Sequence, residues 1–332
     1  MMLFCAGCEG ASKSTRVDFV VIEEYGNTAQ EQNTESIQEA LKEYCQAYKT
    51  EYSVFTITGN TAGKLRGALD LAKNAECGFV IVPAMFKDTV LTVAPEYPEM
   101  QFLLFDTYLE ELPETEVPQN VHALDFSYYE AGYTAGRTIP LNRCTTAGVL
   151  DDYHDERSVR FFEGLMEGLE ETLGNSGKEF SLKYFNVSGK SANAINQVIY
   201  QTIVTSSDAI LYTGEKLEPY IRQYAIRTGM KYIGLGTQYG EFTSFYIVLN
   251  YSKLFGSFMV NYQSGRISGA NYTAGFPEGA LSTRYGAALA PDAAAQLQET
   301  GNELVSGELI LTPEIVPLEE LTSEILTLEI EE

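Results

Sequence analysis

Residues 119–140, QNVHALDFSYYEAGYTAGRTIP, decide how the chain is read. Asn120 to Phe126 alternates apolar and polar residues as a strand does. Ser127 then opens a helix as the first residue of a capping box, S-Y-Y-E, in which Glu130 is expected to reach back to the Ser127 backbone N–H. Within that helix Ala131, Gly132, Ala135 and Gly136 form a small-residue face at i, i+4 spacing, so its backbone is expected to lie close against a sheet. Glycine inside a helix costs about 1 kcal/mol against alanine, so two of them point to packing rather than to a ligand role. On both sides of this stretch strands and helices alternate, which makes it a crossover between two lobes.

Upstream, Val17–Ile22, Val54–Thr58, Gly78–Val82 and Phe102–Phe105 read as short buried strands. Helices are expected from a cap at Asn33 or Thr34 to Gln46, over Lys64–Asn74, and around Thr89–Ala94. Downstream the pattern returns, with strands at Gly148–Leu150, Leu182–Val187, Ala209–Tyr212, Tyr232–Leu235 and Phe245–Leu249. Helices fill the gaps at Ser158–Leu173, Ala192–Thr205 and Leu217–Thr228, the last ended by Gly229. A helix over Ser252–Gln263 is expected to rejoin the first lobe. Continuous apolar strands separated by helices indicate parallel sheets covered on both faces. The expectation is a two-lobed α/β protein, each lobe a parallel sheet flanked by helices, with a ligand cleft between the lobes. Residues 1–15 are read as a signal remnant and tether, lobe 1 is expected to hold 16–123 plus about 250–280, and lobe 2 124–249 plus about 281–332. The tail, LILTPEIVPLEELTSEILTLEIEE, reads as strands or a strap across the lobes.

The 332 residues carry 46 acids against 22 bases, a net charge of -24, which argues against nucleic acid and against an anionic membrane surface. Five cysteines and two histidines, His122 and His154, make no zinc set, and neither a metal nor a cofactor is expected. The start, MMLFCAGC, resembles the end of a bacterial lipoprotein signal, with Cys8 as the lipidated residue and Glu9–Thr15 as a polar tether. It lacks a basic region and a full apolar run, which a start placed upstream would supply.

Ligands of open parallel sheets bind beyond the carboxyl ends of the strands. The residues there are Glu23, Glu24 and Tyr25; Pro83–Phe86; Asp106–Tyr108; Asp151–Tyr153; Thr213 and Gly214; and Gly236–Gln238. Tyr25, Phe86, Tyr108, Tyr153 and Tyr239 are candidate stacking residues. The run Ser188-Gly189-Lys190-Ser191 imitates a phosphate loop, but Tyr184 stands where that loop requires glycine. No nucleophile elbow is present, and the Asp151, Asp152 and Asp155 carboxylates are expected to serve a helix N-terminus, with an acid pair or a cation site as the alternative.

Several runs together resemble the basic membrane protein family of bacterial substrate-binding lipoproteins, which includes purine nucleoside receptors. They are GFVIVPAMFKDTVLTVAPEYPEMQFLLFD, NVHALDFSYYEAGYTAG, ERSVRFFEGLMEGL and SDAILYTGEKLEPYIRQYAIRTGMKYIGLG. The resemblance implies a type I periplasmic-binding fold, an extracytoplasmic lipid-anchored protein, and delivery of a small polar ligand to an ABC importer permease. It also implies ligand contacts. Glu23 or Glu24 resembles the acid at the first strand end, and Asn33 the asparagine at the helix start. Gln32 replaces an aromatic that would stack on a base. Asp106 and Gly214 match family positions, Lys253 stands near the family's lysine, and Gly236 replaces an aspartate expected to hold ribose hydroxyls. These departures leave a nucleoside-like ligand as the expectation, with the base and sugar contacts altered. Two other functions compete: a sensor or regulator with the same fold, and a hydrolase of nucleoside-like molecules.

Overall fold

The computed structural model describes residues 17–25, 31–109, 117–141, 143–153, 155–174, 179–204, 207–225, 230–237, 242–267, 269–286, 289–312, 316, 320 and 326–331. The side chains of 31–33, 203, 204 and 215, and in the last segment all but that of Thr327, are outside the description. The chain folds as two units, one of residues 1–125 and 251–273 and a second of 126–250 and 274–332.

The first unit is built on β1 (Phe19–Glu24), β2 (Tyr52–Ile57), β3 (Phe79–Pro83), β4 (Gln101–Phe105), β5 (Val121–Phe126) and β11 (Asn271–Ala274), in the order β11-β5-β4-β3-β1-β2. Strands β1 to β5 are parallel throughout. The apolar runs are continuous because both faces of the sheet are covered. Val20, Ile22, Val80, Val82, Phe102 and Leu104 pack into a core with Leu65, Leu69 and Val90. Those last three lie on α2 (Ala62–Asn74) and α3 (Lys87–Val93), and Thr61 caps α2 by accepting the Lys64 N–H. The alternate residues face α1 (Glu31–Tyr48) and α8 (Tyr251–Gln263) through aromatic rings: Phe19 meets Tyr44 at 5.8 Å and Phe255 at 5.7 Å. Helix α1 begins earlier than a cap at Asn33 or Thr34 would allow, and Thr34 is buried inside it.

His122 lies in this aromatic layer, its ring 5.6 Å from that of Phe258 and 5.8 Å from that of Tyr262, with Nε2 3.2 Å from Gln101 Oε1. Burial holds its pKa below the usual value of 6.5. The folded state therefore binds fewer protons than the unfolded state once the pH drops below about 6.5. Stability contributed by the neutral ring is full above that value and is lost as pH falls toward the depressed folded value. The urea midpoint is expected to fall between pH 7 and 5, and by less in His122→Phe; equal falls in both proteins would exclude His122 as the source.

The second unit carries β6 (Thr146–Asp151), β7 (Phe180–Asn186), β8 (Ala209–Thr213), β9 (Lys231–Gly236), β10 (Phe245–Leu249), β12 (Leu281–Tyr285) and β13 (Leu326–Glu331). Their order is β12-β10-β9-β8-β6-β7-β13. Only β12 is antiparallel, to β10. The first five strands of each unit thus share one order, 2-1-3-4-5. One face of this sheet packs Leu150, Ile210, Tyr212 and Tyr232 against α6 (Ala192–Val204) and α7 (Glu218–Ala225). Tyr184 projects to the other face, 5.3 Å from Phe162 of α5 (Glu156–Leu173). Helix α9 (Pro291–Ser306) packs on α4 (Tyr128–Leu141).

Two local expectations are corrected. The small-residue face of α4 lies against α5 rather than a sheet, because α5 offers Gly164 and Gly168 opposite Gly132 and Gly136. The capping box is not closed as read: Glu130 reaches back to the Ser127 side chain rather than its N–H, which donates to the Ala274 carbonyl, and the Glu130 carboxylate also accepts the Phe276 N–H. Of the tail, read as strands or a strap, residues 326–331 form the strand β13, paired in parallel with β7. The expected Gly229 cap lies outside the described residues.

Candidate functional site

The carboxyl ends of parallel strands share one edge of a sheet, and in a 2-1-3-4-5 order the loops diverge between the first strand and the third. Those points lie between β1 and β3 in the first unit and between β6 and β8 in the second.

At the first edge, Glu24 and the highly exposed Tyr25 end β1. The neighbouring Glu23 carboxylate is taken by Gln38 Nε2 at 3.1 Å and Thr56 Oγ1 at 2.7 Å. Asp106, just past β4, is buried at a left-handed φ of 57°, a conformation aspartate tolerates better than most residues. Its N–H donates to the Leu124 carbonyl. Tyr108 is half-buried, and its carbonyl accepts from Lys87 Nζ at 3.4 Å. Lys253 is exposed on α8. Phe86 has 0% exposure inside the core, so its ring is used for packing and is not available for stacking. Asn60 was missed by sequence reasoning: its Nδ2 donates to the Met85 carbonyl at 2.6 Å and its Oδ1 accepts from Thr89 Oγ1 at 2.7 Å. This ties the loop after β2 to the one after β3. A lone Asn after T-G gives no signal of that in the sequence.

At the second edge the strand ends are held by Asp151, which is 2% exposed. Its Oδ2 accepts from Tyr184 Oη at 2.6 Å, and its Oδ1 accepts from Thr213 Oγ1 at 2.6 Å and from the Tyr153 N–H at 3.2 Å. Asp155, not its neighbours, caps α5, closing a capping box with Ser158. Arg157 stacks over the Tyr153 ring, 4.2 Å from its centroid, and Tyr128 meets that ring edge-on at 5.7 Å. Tyr153 thus already has a cation on one side of its ring.

Asp152 is the residue the acidic run concealed. Its side chain is 10% exposed, and Lys216 Nζ stands 3.6 Å from Oδ2. Loss of solvent raises its pKa, with Lys216 acting in the opposite direction. Gly214, at φ 87°, makes room for this carboxylate, because a Cβ there would lie 3.3 Å from Oδ2. Gly236 ends β9, buried and paired in register with Val248. Gln238, Tyr239, His154 and Cys8 lie outside the described residues, as do the side chains of Gln32 and Asn33. Among the described residues, no group of three or more His, Cys, Asp or Glu side chains is placed to hold a metal ion. Among them too, no helix is long and apolar enough to cross a membrane.

The comparisons with known proteins bear on this arrangement. Residues 25–141 match the Bmp family model. That model describes PnrA-like substrate-binding proteins of ABC transporters, and the match bears out the resemblance carried by the GFVIVP and NVHALDFSYYEAGYTAG runs. Among curated proteins, none matches the chain. Among solved structures, an ABC transporter solute-binding protein from Conexibacter woesei is similar at 15% identity and a TM-score of 0.65, over 89% of this chain and 98% of that one. A solute-binding protein of an ABC transporter system from Aeropyrum pernix is similar at 14% identity and a TM-score of 0.67, over 89% and 93%. A transcriptional activator of the comK gene from Bacillus halodurans reaches a TM-score of 0.69 at 15% identity, over 89% and 100%. The fold is therefore that of the type I periplasmic binding proteins, as the resemblance to the basic membrane protein family implied.

Proposed function

We propose that the protein is an extracytoplasmic substrate-binding protein of an ABC importer that takes a small polar ligand, most simply a nucleoside or a related molecule. The observation that carries this reading is the match of residues 25–141 to the Bmp family model. The carboxyl-edge residues support it: Glu24, Tyr25, Asp106 and Tyr108 in one unit, and Tyr153, Gly214 and Gly236 in the other, with Lys253 of α8, Gln32, Asn33 and Gln238 as further candidates from the resemblance. A permease is the expected partner, and Cys8 is the proposed point of lipid attachment.

Binding to the folded state alone raises stability by about 2.7 kcal/mol at 100 times the dissociation constant, so a thermal-shift panel tests the reading. Nucleosides, bases, sugars and amino acids form the panel. A shift with nucleosides supports the full reading, and a shift with another class keeps the binding role and reassigns the ligand. The B. halodurans transcriptional activator, which shares the fold, is the observation behind a second reading as a ligand sensor. Co-purification with a permease would favour the importer role over that one.

A further inference from the structure

Resting on the binding-protein reading, we propose that Asp152 and Lys216 form a subsite for a neutral vicinal diol. Asp152 would accept from the ligand hydroxyls and Lys216 would donate to one of their oxygens. Asp152 follows β6 and Lys216 follows β8, two strands paired in register at Asp151 and Thr213. Both therefore stand at the divergence of the second sheet, where ligands of this topology bind.

The two neighbouring aspartates have separate tasks. Asp151 is engaged by Tyr184, Thr213 and the Tyr153 N–H. Asp152 makes a backbone contact with Thr213 Oγ1 at 3.3 Å, and its carboxylate rests in the space left by the missing side chain of Gly214. Lys216 is 54% exposed, against 10% for Asp152, and its 3.6 Å separation from Oδ2 is longer than a charge-assisted hydrogen bond of about 2.7–2.9 Å. A carboxylate withdrawn from water beside a loosely placed ammonium offers two acceptor oxygens and a donor close together. Two hydroxyls on adjacent carbons present donors and acceptors at matching spacing. A ligand ammonium would compete with Lys216 for Asp152, and a ligand carboxylate would be repelled by it, so the pair selects neutral hydroxylated groups.

The test is calorimetric titration of the full chain with adenosine, 2′,3′-dideoxyadenosine, D-ribose, D-glucose and L-arginine. The wild type is expected to bind one of the diol-bearing probes and to lose at least tenfold in affinity when its diol is removed. Asp152→Asn is expected to lose at least tenfold for the diol probe, and the exposed Lys216→Met, which is not expected to affect folding, several-fold. Diol affinity unchanged in both variants, or no discrimination by the wild type between adenosine and its dideoxy analogue when adenosine is the ligand, overturns the subsite while leaving the binding role standing. Tighter binding of L-arginine than of any diol does the same. A wild type that binds none of the probes overturns the subsite, and one that in addition shifts with no ligand class in the thermal panel overturns the binding role with it.

Discussion

Replacing Gly164 by leucine is expected to cost the second unit at least about 3 kcal/mol, seen as a large drop in urea midpoint. Helices α4 and α5 approach so closely that four glycines interlock. A Cβ on Gly164 would lie 2.0 Å from the Tyr129 carbonyl oxygen, and one on Gly132 would lie 1.8 Å from that of Phe161. Gly136 and Gly168 repeat the arrangement one turn on, each at 2.2 Å from a backbone oxygen. Backbone atoms cannot swing aside as a flexible side chain can, so the helices must separate. Separation would also break the bonds that Tyr129 and Tyr133 make to Glu167 and Glu171. Even Gly132→Ala is expected to destabilise, although alanine gains about 1 kcal/mol in helix propensity. Gly67 supplies the contrast, because nothing lies within 4 Å of its Cβ position in α2. Gly67→Ala is therefore expected to stabilise by up to about 1 kcal/mol. A Gly132→Ala protein as stable as the wild type would show that the helices have room to spare.

These same glycines show what the sequence could and could not convey. The G-x-x-x-G spacing of Gly132 and Gly136 announced a close approach, and it did so correctly. It did not announce the partner, because Gly164 and Gly168 lie in a segment read only as a helix between strands. Strand positions were legible for a simple reason: Val17–Ile22 or Phe102–Phe105 must be apolar on both faces to lie between two helix layers. Loops were less so. Glu130 has the right spacing for a capping box, but it meets the Ser127 side chain and not its N–H, and the Phe276 N–H, 146 residues away, also donates to its carboxylate. Phe86 stood at a strand end like the other aromatic candidates, and only the fold shows that the short helical turn after β3 folds it back into the core. Asp151 and Asp152 are adjacent in the sequence, and one acidic run could not reveal that successive side chains have different surroundings.

The second large effect is expected at Asp151. Asp151→Ala should lose about 3 kcal/mol or more of stability, since it removes the buried carboxylate that accepts from the Tyr184 and Thr213 hydroxyls. Hydrogen bonds to a charged group contribute about 1.5–3 kcal/mol each, and the penalty of stranding their donors adds to that loss. Asp151→Asn keeps the shape but offers one acceptor oxygen in place of two, so an intermediate loss is expected. Adding Tyr184→Phe and Thr213→Val to Asp151→Ala removes the stranded hydroxyls, and part of the stability is expected to return. The triple variant separates the two contributions. If it is no more stable than Asp151→Ala alone, the cost lies in lost packing and not in unpaired hydroxyls. The Tyr153 N–H bonds to the same carboxylate, so Asp151 also orients the turn that carries Asp152 and Tyr153. Ligand affinity should therefore fall in Asp151→Ala even at temperatures where the chain is fully folded, and the loss should be larger for a diol-bearing ligand than for its deoxy analogue. An affinity that survives intact in the folded variant would separate the anchor of the strand ends from the geometry of the site.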